Sequence, residues 1–242
     1  MGISLKLFIQ LIWPGIRTIG DYNDFEQLYE AIHHILTEEG EDMEIERSRL
    51  RLLGFCYDLR HALMGDRDYE YVDNGLNDHI MQQLGIVGLK KNLYLSFPTF
   101  YPEMIFVTFA LNYFISLYEA KRKKSAWDSN PGIVGNFQNA VLACLKETLT
   151  PQKFVNTIRL LNSNPSILKN YMTQYIDLLN LRFLEWDPIK REQNISIFVK
   201  RIVEKGTEYC QIEREILQAA YKYQCHPSEI RLNEEYPEHI DW

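Results

Sequence analysis

Apolar side chains occupy alternate positions at the start of the chain: Ile3, Leu5, Leu7, Ile9 and Leu11. A period of two sends successive side chains to opposite faces, so residues 3–12 are predicted as a strand. Pro14-Gly15 is a turn signal, and residues 16–20 are predicted as a second short strand beside it. The period then changes to three and four through Phe25, Leu28, Tyr29, Ile32, Ile35 and Leu36, which predicts a helix ending near Thr37. Asp24 is its expected cap, with Gln27 in the capping-box place. The acidic run 38–42 reads as a solvated loop. A second helix is predicted over residues 47–64, stopped by Gly65. A strand at 69–72, a short helix at 78–84 and a strand at 92–97 follow. Pro98 and Pro102 are expected to separate that last strand from an apolar helix beginning near Glu103.

After Ser125 only helical periodicity remains. Residues 127–135 hold Asp, Ser, Asn, Pro and two Gly, and read as a connection. One apolar stripe runs through Val134, Phe137, Val141 and Leu145, and another through Phe154, Ile158 and Leu161 after Thr150-Pro151. Asn164-Pro165 opens a third, reaching about Trp186; Asp187-Pro188 opens a fourth; Gly206-Thr207 precedes a fifth. Such short breaks suit antiparallel packed helices. The expected fold is α+β. A small sheet with helices takes residues 1–125, an all-helical bundle takes 132–226, and an irregular tail takes 227–242, with one compact unit as the alternative division.

Composition narrows the class. Hydrophobic residues are 46% and charged residues 24% of 242, which excludes a disordered, collagenous or mucin-like chain. A chain of this length buries a core without disulfide or metal staples. The net charge of −7 argues against a nucleic-acid or anionic-membrane partner. That charge is uneven: residues 1–120 carry 9 basic against 18 acidic side chains, residues 121–242 carry 17 against 15. Residues 104–118 are strongly apolar but short of the roughly 20 residues a membrane span needs, and they include Asn112, so a buried helix is expected. The basic run 121–124 at its end opposes the helix dipole. Cys56, Cys144, Cys210 and Cys225 form no C-x-x-C pair, and the N-terminus lacks signal-peptide character. A cytoplasmic protein with free thiols, no metal and no cofactor is expected.

Most chemical signatures are missing, among them the phosphate-binding glycine loops, the zincin helix and the nucleophile elbow. The segment from Asp66 begins like a calcium loop, but Tyr71 stands where glycine is required and Asn77 where the bidentate Glu belongs. Glu30 and His33 match half of a dinuclear-metal motif whose second half is not evident, so they read as a surface pair one turn apart. Cys225-His226 reads as structural.

The helix 47–64 holds the candidate site. Leu52, Phe55, Cys56, Leu59 and Leu63 form its core stripe. On the far side lie Arg47, Arg51, Gly54, Asp58 and His61. Asp58 and His61, three apart, are expected to touch, which orients the imidazole and raises its pKa for acid–base work. Arg51 would hold an anion on the same line. Gly54 would let a ligand or another backbone segment approach closely. Cys56 and His61 lie ~140° apart around the helix and form no thiolate–imidazole pair.

Residues 20–25 through His33, and residues 54–61 through Gly65-Asp66-Arg67, resemble an uncharacterised bacterial family of unknown function over about residues 16–120. The resemblance implies a bacterial cytosolic protein and carries over no catalytic residue. The leading reading is a non-catalytic cytosolic interaction or binding module with an unknown protein or small-molecule partner. The alternative is a hydrolase using Asp58 and His61, with Arg51, on an anionic substrate. Location discriminates: these side chains line a deep pocket, lie flat on the surface or seal the two parts together.

Overall fold

The computed structural model describes residues 7–12, 15–36, 38–40, 42–121, 127–161, 168, 171–232, 235–240 and 242. Ile3, Leu5, Pro14, Thr37, Asn164-Pro165 and most of the basic run 121–124 lie outside these residues.

The fold is α+β. Strands β1 (Phe8–Leu11), β2 (Gly15–Gly20), β3 (Asp68–Asp73) and β4 (Lys91–Phe100) form one antiparallel sheet in the order β1-β2-β4-β3. Ile12 and Gly15 exchange both backbone hydrogen bonds, 2.9 and 2.8 Å. Gly15 is required where β2 meets the end of β4, because a Cβ there would stand 2.2 Å from the Thr99 carbonyl oxygen.

β4 runs through Pro98 instead of ending before it. Residues 15, 17 and 19 direct their hydrogen bonds to β1, so the Arg17–Pro98 pair is a non-hydrogen-bonded one. The proline nitrogen therefore points away from β2. On that side β3 pairs only as far as Ser96, so no ladder bond is lost. Pro102 is likewise no break. It is the second residue of α4 (Tyr101–Lys121), where an N–H has no intrahelical partner.

Helix α1 (Tyr22–Ile35) starts one turn earlier than its predicted cap. Asp21 is the N-cap and accepts from the Asp24 N–H at 2.8 Å, while the Asp24 carboxylate accepts the Asp21 N–H at 3.0 Å. Helix α2 (Glu46–Leu63) packs beside it, and Phe25 and Phe55 both meet Phe97 of β4 edge-on. After β3 comes the short α3 (Asp78–Leu84). Then α4 enters the centre of the molecule, buried on all sides from Met104 to Leu111. Its environment, α1, α2, α5, α7 and α8, explains why its apolar residues do not confine themselves to one stripe. Among the described residues no helix is long and apolar enough to cross a membrane.

Helices α5 (Asn130–Thr148), α6 (Pro151–Leu161), α7 (Met172–Glu185), α8 (Pro188–Glu204) and α9 (Thr207–Tyr223) complete the chain. α5 begins inside the stretch 127–135 that reads as a connection. Pro131 sits in its first turn, and the buried stripe from Val134 onward outweighs the helix cost of Gly132 and Gly135. α5 packs on α1 and β1, so a continuous hydrophobic core spans the sheet layer and the helical part.

The last residues cross the junction. A 3₁₀ turn (Pro227–Glu229) is capped by His226, whose Nδ1 accepts the Ser228 N–H at 3.2 Å. Gln174 then donates to the Ile230 carbonyl at 3.3 Å, and Ile230 and Leu232 pack against the core. The Tyr236 and Trp242 rings stack on Phe100 at 5.4 and 4.8 Å.

Candidate functional site

The polar line on α2 meets a matching line on α7. Arg51, Gly54 and Asp58 recur at helical spacing, as do Thr173, Asp177 and Asn180, and all but Thr173 line one cleft of about 480 Å³. Glu103 from the first turn of α4 lines the same cleft. The aromatic rings of Phe100, Tyr236 and Trp242 close one side.

Arg51 seals these helices together. Its Nε donates to both Glu103 carboxylate oxygens at 2.7 and 2.9 Å, and its Nη2 pairs with Glu103 as well. Nη2 also donates to Asp177 Oδ1 at 2.9 Å, and Nη1 to the Thr173 carbonyl at 2.9 Å. Burial opposes the charge of Arg51, but the Glu103 and Asp177 carboxylates outweigh it and raise its pKa above the ordinary arginine value. The expected role of Arg51 as an anion holder therefore gives way to an internal one, because its donors are spent on carboxylates from two other helices.

The expected Asp58–His61 pair is not made. Asp58 Oδ1 accepts from Arg67 Nη2 at 2.8 Å and Nε at 3.3 Å. His61 Nδ1 lies 3.2 Å from Asp66 Oδ2, and its ring rests on Tyr57 with centroids 4.0 Å apart. The cause is the sharp reversal at Gly65, with φ +85°, which folds Asp66 and Arg67 back over the last turns of α2. Those charges intercept both side chains. His61 also stands outside the cleft that Asp58 lines. Gly54 departs from expectation too: among the described residues nothing outside its own helix lies within 4 Å of where its Cβ would stand, so none of their backbone crosses there. It borders open cleft.

The groups without partners in this cleft are acceptors. Asp58 and Asp177 each use Oδ1, and their Oδ2 atoms make no hydrogen bond among the described residues. Asn180, buried below, donates to Glu103 at 3.0 Å and to the Tyr236 hydroxyl at 3.3 Å, while its Oδ1 has no partner among the described residues. Burial raises the Tyr236 pKa to about 12, so its hydroxyl stays protonated and donates to Asp177.

A second cleft of about 460 Å³ lies beyond the contact of Arg51, Asp177 and Tyr236, which borders both. Arg47, Leu50, Gln174 and the tail residues Arg231 and Leu232 line it. Sequence reasoning singled out neither Asp177, Asn180 nor Tyr236 as site residues. The spacing of Asp177 and Asn180 on α7 was visible, but nothing local indicated that α7 would face α2.

Among the described residues no group of three His, Cys, Asp or Glu is placed to hold a metal. His33 packs on the Tyr29 ring at 4.4 Å, and burial lowers its pKa. Cys56 belongs to the core, and burial pushes its thiol up to about 12. Another exposed feature is the arm formed by β3, α3 and the start of β4. None of the α3 residues is buried, and Leu84, Val87, Leu89 and Leu93 face solvent.

Residues 13–242 match a domain of unknown function (DUF6904). The chain belongs to this family. The DUF6904 match takes in strands β2 to β4, all nine helices described above and the tail, well beyond the resemblance over residues 16–120. No curated protein and no solved structure matches the chain. Family membership thus assigns no function to this DUF6904 chain, and the cleft is its clearest chemical feature.

Proposed function

We propose that this protein is a non-catalytic binding module whose cleft between α2, α4, α7 and the tail holds a small organic cation. The observation that carries this is the pairing of free carboxylate oxygens with aromatic faces. Asp58 Oδ2 and Asp177 Oδ2 have no hydrogen-bond partner among the described residues, Phe100, Tyr236 and Trp242 supply rings, and the one arginine lining the cleft is already paired with two carboxylates. Ammonium and guanidinium groups bind well where carboxylates and aromatic faces converge. The separated Asp58 and His61 give no acid–base pair, so the hydrolase reading gains no support. An anionic substrate would meet three carboxylates in this cleft.

Calorimetric titration of the full chain with butylammonium tests the proposal, with butanol as the uncharged match. Saturable heat with butylammonium alone is expected, and its loss in Asp177→Asn. Equal heats from both compounds, or none from either, would sink the cation reading.

A further inference from the structure

The second cleft reverses the charge of the first. Three arginines, Arg47, Arg51 and Arg231, face one carboxylate, Asp177. Arg51 is consumed by Glu103, Asp177 and the Thr173 carbonyl. Arg47 and Arg231 make no hydrogen bond and no ion pair among the described residues. Other charge near Arg47 is Glu229, whose Oε1 already accepts the His226 N–H at 3.1 Å. We propose that Arg47 and Arg231 form a site for a small organic oxyanion, a carboxylate or a phosphate group, in this second cleft. The site shares the Arg51, Asp177 and Tyr236 wall with the proposed cation cleft, but Arg47 and Arg231 line only the second cleft, so the inference does not depend on the cation reading.

The two arginines reach the cleft from unlike elements, and Arg231 is exposed. Arg47 is the second residue of α2, half-buried. Arg231 comes from the tail, where buried Gln174 fixes the preceding carbonyl of Ile230 at 3.3 Å. The fold thus brings like charges together from residues far apart in sequence. Burial lowers the Arg47 pKa, and the nearby Arg231 lowers it further. An oxyanion between the forks would relieve that repulsion and take planar, paired hydrogen bonds from both. The first turns of α2 and α7 also line this cleft, and their dipoles add to the same positive field. Leu50, Ile230 and Leu232 supply an apolar flank for the body of such a ligand.

The test is titration of the full chain at low ionic strength with inorganic phosphate and, separately, with butyrate. Saturable binding of at least one anion is expected, weakened about tenfold or more by Arg47→Gln and by Arg231→Gln, the size of effect typical of a lost charge-assisted contact. Arg60→Gln removes the same charge from an exposed residue outside both clefts, where the guanidinium rests on Tyr57, and should leave affinity unchanged. Tighter phosphate binding identifies a phosphate group, and tighter butyrate binding a carboxylate with an apolar tail. Butylammonium heats measured on the same variants report separately on the cation cleft. Absence of saturation by either anion overturns the site, as does equal weakening by Arg60→Gln.

Discussion

Replacing Arg51 by Met would strip the cation from Glu103, whose side chain is only 17% exposed, and from the more open Asp177. Loss of one partner from a buried pair typically costs about 3–5 kcal/mol, so urea unfolding should show a large drop in midpoint. Asp58→Asn should behave otherwise. Its partner Arg67 is one-third exposed, and such pairs contribute ~0.2–1 kcal/mol, so melting should barely move. Similar stability losses for the two variants would mean that Arg51 is not the clasp described here. Gly54→Leu makes the sharpest contrast at this scale. A Cβ at Gly54 meets nothing, so Leu should stabilise the helix by up to ~1 kcal/mol. The same side chain would project into the cleft and abolish the butylammonium heat. A destabilised variant would show that the helix face is more crowded than the distances imply.

The element most exposed to test is the tail. It has little regular structure, yet Ile230 and Leu232 pack on the core, Tyr236 bonds to Asn180, and Trp242 stacks on Phe100. Ending the chain after Cys225 should lower the melting midpoint while retaining the helical circular dichroism, and should abolish titration of both clefts. Undiminished binding by that shortened chain would show that the tail is not a wall of either cleft. The other elements were legible to different degrees. α2 was predicted over 47–64 and spans Glu46–Leu63, because a buried stripe repeating every three or four residues is a local property. The end of β4 and the start of α5 were not, since Pro98 and Gly132 read as breaks in isolation. Only the missing β3 neighbour makes Pro98 harmless, and only the packing of α5 on α1 and β1 overrides its glycines.

Across the whole molecule the core is continuous, and the four thiols sort by it. Cys56 and Cys144 are buried and Cys210 is exposed. A thiol reagent should therefore modify Cys210 in the native protein, and Cys56 and Cys144 only as the chain unfolds. Native labelling of Cys56 at the rate of Cys210 would contradict a closed core. It would also contradict a thiol held near 12, because the thiolate is the reacting form.

Element type, the apolar stripes and the candidate helix face follow from the sequence by itself, because each depends on residues within a turn or two of one another. Which charge answers which does not. Arg51 finds Glu103 and Asp177 at separations of 52 and 126 residues, while Asp58 turns from His61 to Arg67 because the chain reverses at Gly65. An ion pair forms between whichever opposite charges the packed chain brings within about 4 Å, and Coulomb energy falls with distance in space rather than along the sequence. Spacing therefore marked Arg51, Gly54 and Asp58 as one face. Only the docking of α4, α7 and the tail made that face the wall of a cleft and separated His61 from it.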